Sequence, residues 1–202
     1  MSFTTKSIQH TITEIKQVID PIGAELNELD GRLGDGDLGV TMINGFANMG
    51  RITDDMPEDV GQALFAAAKA MTAVSGSSFG TLMATALMAA GKSVKGRDAV
   101  EWSEIPKLLQ LAQDAMISRG GASLGDKTVL DSLEAVIKAT TGMSDPESMQ
   151  KAASIAAKEA LAEFIDKPNK IGRARVYADK SIGLEDPGMV AMCRLIDAIP
   201  AK

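Results

Sequence analysis

Three aspartates, Asp30, Asp35 and Asp37, lie in the stretch Leu-Asp-Gly-Arg-Leu-Gly-Asp-Gly-Asp-Leu-Gly that runs from Leu29 to Gly39. Carboxylates this close repel one another unless a cation sits between them. Hard divalent ions such as Mg²⁺ take oxygen ligands and share their shell with substrate phosphates. The intervening glycines permit tight turns and unusual backbone angles. The pattern fits a metal–phosphate site, and it also fits a solvated acidic turn. A second stretch, Ser75-Gly76-Ser77-Ser78-Phe79-Gly80-Thr81, brings hydroxyls and bare N–H groups to a helix start, as a phosphate cradle would. A plain helix–helix connection has the same composition, and the G-x-x-x-x-G-K-[ST] pattern is absent. Two later stretches, Gly120–Thr128 and Gly172–Gly188, are also glycine-bearing loops. The second carries Arg173, whose guanidinium fork suits a carboxylate or a phosphate.

The segments between these loops read as helices. Ile8, Ile12, Ile15 and Ile19 share one helical face from Thr5 onward. Asp20-Pro21 is expected to end that helix, because proline disfavours helix in the residue before it. A short second helix with Ile22, Leu26 and Leu29 inward then delivers Asp30 at its end. Helical spacing returns over 40–49, 60–73, 81–91, 105–118, 129–137, 146–165 and 189–198. Ser144-Asp145-Pro146-Glu147 and Asp186-Pro187-Gly188 are start signals, with a cap and a proline near the first turn. Residues 167–186 show no period, and a loop that long in a small domain usually serves function. No segment alternates as a strand would. Up to nine helical segments result, and short connections favour antiparallel neighbours. Alternate connections then share an end, which would gather the four polar loops at one mouth.

Composition narrows the possibilities. A chain of 202 residues can bury a core as a single domain, 1–202. A net charge of −6 without a basic stripe argues against nucleic acid as a partner. No apolar run approaches the ~18–20 residues that span a bilayer. The polar N-terminus lacks a signal core, and one cysteine, Cys193, excludes an internal disulfide. The expectation is an acidic, cytoplasmic, mostly helical domain. Cys193 reads as a small buried hydrophobe, and Met71, Met83, Met88 and Met116 as core filler. His10 reads as a surface or packing residue. An EF-hand fails on ligand spacing and on its terminal Glu.

Taken in order, four motifs resemble those of the ADP-binding L subunit of the dihydroxyacetone kinases. They are Leu-Asp…Gly-Asp-Gly-Asp-x-Gly, Ser-Gly…Phe-Gly-Thr, Ser-Arg-Gly…Gly-Asp-Lys-Thr…Asp and Gly-Arg-Ala…Lys-Ser-Ile-Gly…Asp-Pro-Gly. The resemblance covers essentially the whole chain. It implies an all-α, eight-helix antiparallel up-and-down barrel with nucleotide-binding loops at one end. By that match Asp30, Asp35 and Asp37 hold two Mg²⁺ ions that grip the phosphates of ADP or ATP. Leu38, Gly39, Val40, Thr41, Ser75, Gly76, Gly120, Val129, Arg173, Asp186, Pro187 and Gly188 fall around the nucleotide.

No catalytic residue beyond the metal ligands is implied in this chain. The ketose, dihydroxyacetone or a related tetrulose, is held by a separate K subunit through a covalently bound histidine. The implied activity is that of a glycerone kinase-like phosphotransferase acting with that partner. The donor is either ATP or a phosphotransferase-system protein that rephosphorylates bound ADP, and a homodimer is left open. Two positions depart from the pattern: Leu38 stands where many members carry His, and Thr41 where many carry Asn. Leu38 motivates an alternative, a non-catalytic nucleotide-binding regulatory module that kept the fold. Retention of all three aspartates argues the other way.

Overall fold

A computed structural model describes residues 2–74 and 76–199, apart from the side chain of Ala178. Among the described residues eight α-helices follow one another: α1 (Thr5–Leu33), α2 (Leu38–Gly50), α3 (Val60–Thr72), α4 (Ser78–Ser93), α5 (Ile105–Gly120), α6 (Val129–Thr140), α7 (Pro146–Phe164) and α8 (Pro187–Asp197). Each packs on its neighbour in sequence, and α8 returns to α1, so the helices close into a ring. The closing seam carries an ion pair: Arg194 on α8 donates to both oxygens of Glu25 on α1, at 2.8 and 2.5 Å. Two short strands, β1 (Phe3–Thr4) and β2 (Ala99–Val100), pair antiparallel at the end away from the acidic loop.

Helix α1 departs from the sequence expectation, because it runs through Pro21 without ending. Its core stripe continues across the proline: Ile8, Ile12, Ile15, Ile19, Leu26 and Leu33 are all buried. Pro21 and Gln17, one turn earlier, both lie on the exposed side. Water is available there to the carbonyl that loses its helical bond, so packing on the other face prevails over the local break. Eight helices therefore replace the nine segments read from sequence. Elsewhere the two start signals act as expected: the carboxylates of Asp145 and Asp186 accept from backbone N–H groups in the first turns of α7 and α8, and Asp59, not singled out in the sequence, does the same for α3.

Leu26, Met42, Met71, Val60 and Val190 are fully buried in the main core. Met116 joins a second cluster with Leu130 and Leu133, and Cys193 is buried between α6, α7 and α8. Met88 does not fill the core as expected; it is 53% exposed. Helix α4 is apolar on most sides yet buries only Gly80, Ala84 and Gly91 fully, so its spacing does not reveal an inward face. The 167–186 connection is not featureless, since Arg173–Ser181 forms a 3-10 segment.

Candidate metal and nucleotide site

The alternation of eight helices puts the α1–α2, α3–α4, α5–α6 and α7–α8 connections at one end. Contacts between them bear this out. The Arg173 guanidinium pairs with the Asp35 carboxylate. The backbone N–H of Lys170 donates to the Asp126 carbonyl at 3.1 Å, and the Lys170 ammonium to the Gly125 carbonyl at 2.9 Å. A Cβ placed on Gly188 would lie 3.5 Å from both the Phe79 ring and the Val129 side chain, so α4, α6 and α8 converge there. Gly120 ends α5 beside Leu82 of α4.

Asp30 occupies the last turn of α1, where an acid opposes the helix dipole. Its position is explained by what it holds. One carboxylate oxygen accepts the backbone N–H groups of Asp37 at 3.0 Å and Leu38 at 3.3 Å, at the start of α2. Asp37 is the cap residue of α2, yet its carboxylate makes no capping bond, unlike those of Asp59, Asp145 and Asp186. Gly36 takes φ +74°, a left-handed turn open to glycine at little cost, and this brings Asp35 and Asp37 round toward Asp30. One oxygen from each of the three aspartates lies within 4.8 Å of the others. An all-oxygen, carboxylate donor set of that size fits a hard divalent cation. Gly34 leaves the space that the second oxygen of Asp30 occupies, because a Cβ there would meet it.

Helices α1 and α2 cross closely behind this loop. A Cβ on Gly39 would overlap the Gly23 carbonyl, and the Asn27 amide oxygen accepts from the Val40 N–H at 3.1 Å. Leu38 is buried in the main core, Gly39 and Thr41 are buried, and Val40 is exposed. Gly76 is exposed before α4, and the Ser77 hydroxyl caps that helix by accepting from Gly80 at 3.2 Å. Ser75 lies outside the described residues. Val129 is buried at the first position of α6.

Asp186 is engaged inward. Its carboxylate accepts from the Met189 N–H and from the Asn169 amide, both at 2.9 Å, which leaves the backbone of Pro187 and Gly188 at the helix start. Burial pushes its carboxyl up to about 6 against those hydrogen bonds. Beside it the ammonium of Lys127 is buried, and desolvation pulls it below the usual lysine range. Sequence spacing singled out neither Lys127 nor Asn169. Only the Gly-Asp-Lys-Thr string placed Lys127 in a loop of interest.

Comparisons with known proteins follow from this geometry. A family model described as the DAK2 domain matches residues 32–201. Over 185 residues the chain is 32% identical to an L-erythrulose kinase of Pectobacterium atrosepticum, covering 88% of this chain and 31% of that protein. Over 213 residues it is 27% identical to the ADP-binding subunit DhaL of the PEP-dependent dihydroxyacetone kinase of Escherichia coli, covering 100% of both. The chain thus spans about a third of the erythrulose kinase and the whole of the Escherichia coli subunit. Its fold matches the crystal structure of the Citrobacter freundii dihydroxyacetone kinase in complex with AMP-PNP and Mg²⁺. The TM-score is 0.75 at 21% identity, over 98% of this chain and 34% of that one.

Proposed function

This chain belongs to the DAK2 domain family, and from that premise we propose that it is the nucleotide-binding, phosphoryl-transferring part of a kinase for small ketoses. The observation that carries the reading is the convergence of Asp30, Asp35 and Asp37 within 4.8 Å at the end where the other glycine loops meet. In this reading the three carboxylates hold two Mg²⁺ ions, which supply charge neutralisation to the phosphates of ADP or ATP. Asp30 does two jobs: one oxygen fixes the start of α2 and the other is left to face the cation. Asp37 leaves its own helix uncapped and so keeps its carboxylate for the same centre. The N–H of Gly39 belongs to the first turn of α2, where phosphate oxygens are favoured, while the Asn27 amide oxygen takes the N–H of Val40.

Arg173 reaches across from the α7–α8 connection to Asp35, where its fork suits a terminal phosphate as well as that carboxylate. Gly76, Gly120, Val129, Pro187 and Gly188 line the same mouth and take the nucleoside, with Ser75 assigned there by the family match alone. Leu38 replaces a family His with a core side chain, so the nucleotide is held without an imidazole from this position.

The acceptor arrives on a separate ketose-binding K subunit, as dihydroxyacetone or a tetrulose such as erythrulose. The donor is ATP or a phosphotransferase-system protein acting on bound ADP. Calorimetry of ADP and ATP binding with and without Mg²⁺ tests the core of this reading. Metal-dependent binding that Asp35→Ala abolishes is the expected result. Binding that ignores both the metal and the substitution overturns it. Adding a K subunit with dihydroxyacetone or erythrulose, and then either ATP or a phosphotransferase donor, distinguishes a kinase from a binding module.

A further inference from the structure

We propose that Lys127 is a positioning residue for the nucleotide site: its ammonium clasps both ends of the α7–α8 connection and so sets where Arg173 and the first turn of α8 stand. This rests on the functional reading above and names a residue outside its contact set. Lys127 is 1% exposed, the largest fully buried side chain in the described structure. Its ammonium has three donors, and each has a carbonyl: Ile165 at 3.0 Å, Lys167 at 2.8 Å and Ser181 at 3.0 Å. The first two acceptors open the connection and the third closes it, so one cation ties together residues on both sides of Arg173.

Asn169 extends the clasp to the neighbouring helix. Its amide donates to the Lys127 carbonyl at 2.8 Å and to the Asp186 carboxylate at 2.9 Å. Its backbone N–H donates to the Ser181 hydroxyl at 2.8 Å.

Two features show that the arrangement is held against a cost. Lys127 is the only non-glycine residue with positive φ among the described residues, at +61°, a conformation that disfavours any side chain with a Cβ. Burying an ammonium is also unfavourable unless every donor is met, as here. By contrast, the segment that the clasp holds buries little of its own. Arg173, Arg175, Val176 and Tyr177 are all exposed, Val176 to 80%. With these side chains outside the core, the segment takes its position from its ends and from the Arg173–Asp35 pair.

Lys127→Met keeps the stem and removes the charge, and two measurements on the full chain decide the matter. Trypsin should cut after Arg173, Arg175 or Lys180 at least roughly tenfold faster than in the unaltered protein, with the far-ultraviolet helix signal unchanged. Arg173→Ala should weaken Mg²⁺-ADP binding in the unaltered protein and add nothing in the Lys127→Met background, the signature of one residue acting through another. Cleavage at the unaltered rate, or full additivity of the two substitutions, overturns the proposal. If the unaltered protein binds no Mg²⁺-ADP, the functional reading fails while the trypsin result still decides the clasp. Should Lys127→Met not fold, Asn169→Ala is put through both measurements with the same expected and overturning results.

Discussion

Among single residues, Asp30 separates structure from proposed function most cleanly, because one oxygen holds the start of α2 and the proposal gives the other to the cation. Asp30→Asn keeps an acceptor for the Asp37 and Leu38 N–H groups and removes the charge. It should melt close to the unaltered protein and lose metal-dependent nucleotide binding in calorimetry. Asp30→Ala also strands the two donors and should cost a further ~1–3 kcal/mol in urea unfolding. Gly34→Ala tests the space beside the second oxygen: the added methyl meets the carboxylate, and Mg²⁺-dependent affinity should fall without a change in overall helix content. The convergence of the three aspartates was legible because it is local, with three acids and four glycines in eleven residues. Lys127 and Asn169 were not. The carbonyls that hold the Lys127 ammonium lie 38, 40 and 54 residues away, and no periodicity joins positions so distant in the chain. Asp186 was assigned to the nucleotide surface from its motif, whereas its carboxylate faces Asn169 and the α8 backbone.

At the scale of elements, helix starts could be read from sequence and one helix end could not. Asp145 and Asp186 cap where their Asp-Pro signals placed them. Pro21 did not terminate α1, since a proline's local penalty is set against a stripe of buried isoleucines and leucines that extends on both sides of it. Pro21→Ala restores the missing hydrogen bond on an exposed face and should stabilise the protein by ~1–3 kcal/mol in denaturant unfolding. Gly39→Ala should do the opposite. A methyl there overlaps the Gly23 carbonyl, so α1 and α2 must move apart. The expected readout is a lowered melting temperature together with weaker Mg²⁺-ADP binding, because that crossing aims Asp30 at Asp37. Helix α4 shows the limit of periodicity. It carries no charge before Lys92 and leaves Met88 exposed, so its apolar residues alone do not say which side is in.

For the whole molecule, the antiparallel count predicted that the four loops share an end. That inference survived the loss of one helix because the break at Pro21 precedes all four loops, which remain two helices apart from one another. No helix among the described residues is long and apolar enough to cross a membrane. The expectation of one domain over residues 1–202 is checked by unfolding: a single transition, with far-ultraviolet signal and Trp102 fluorescence coinciding, is the expected result. Buried Asp186 gives that transition a pH dependence of definite sign. Its folded carboxyl titrates near 6, above the ordinary 3.8, so the unfolded chain releases its proton first as pH rises. The contribution is present below about pH 4 and is lost by about pH 6, a fall of order 3 kcal/mol. Asp186→Asn should flatten that window in melts taken from pH 4 to 7.

The even number of helices has a further consequence. Thr5, tied to the Pro57 and Glu58 carbonyls, and Ile196, whose carbonyl accepts from Gln150 near the start of α7, both lie at the end opposite the aspartates. A polypeptide joined before Thr5 or after Ile196 therefore starts behind the barrel, on the side away from the mouth. Such an architecture can work as a separate piece or as a segment of a longer polypeptide without rearranging its loops. Immobilised on a sensor surface through either terminus, it should present the same face to a docking protein.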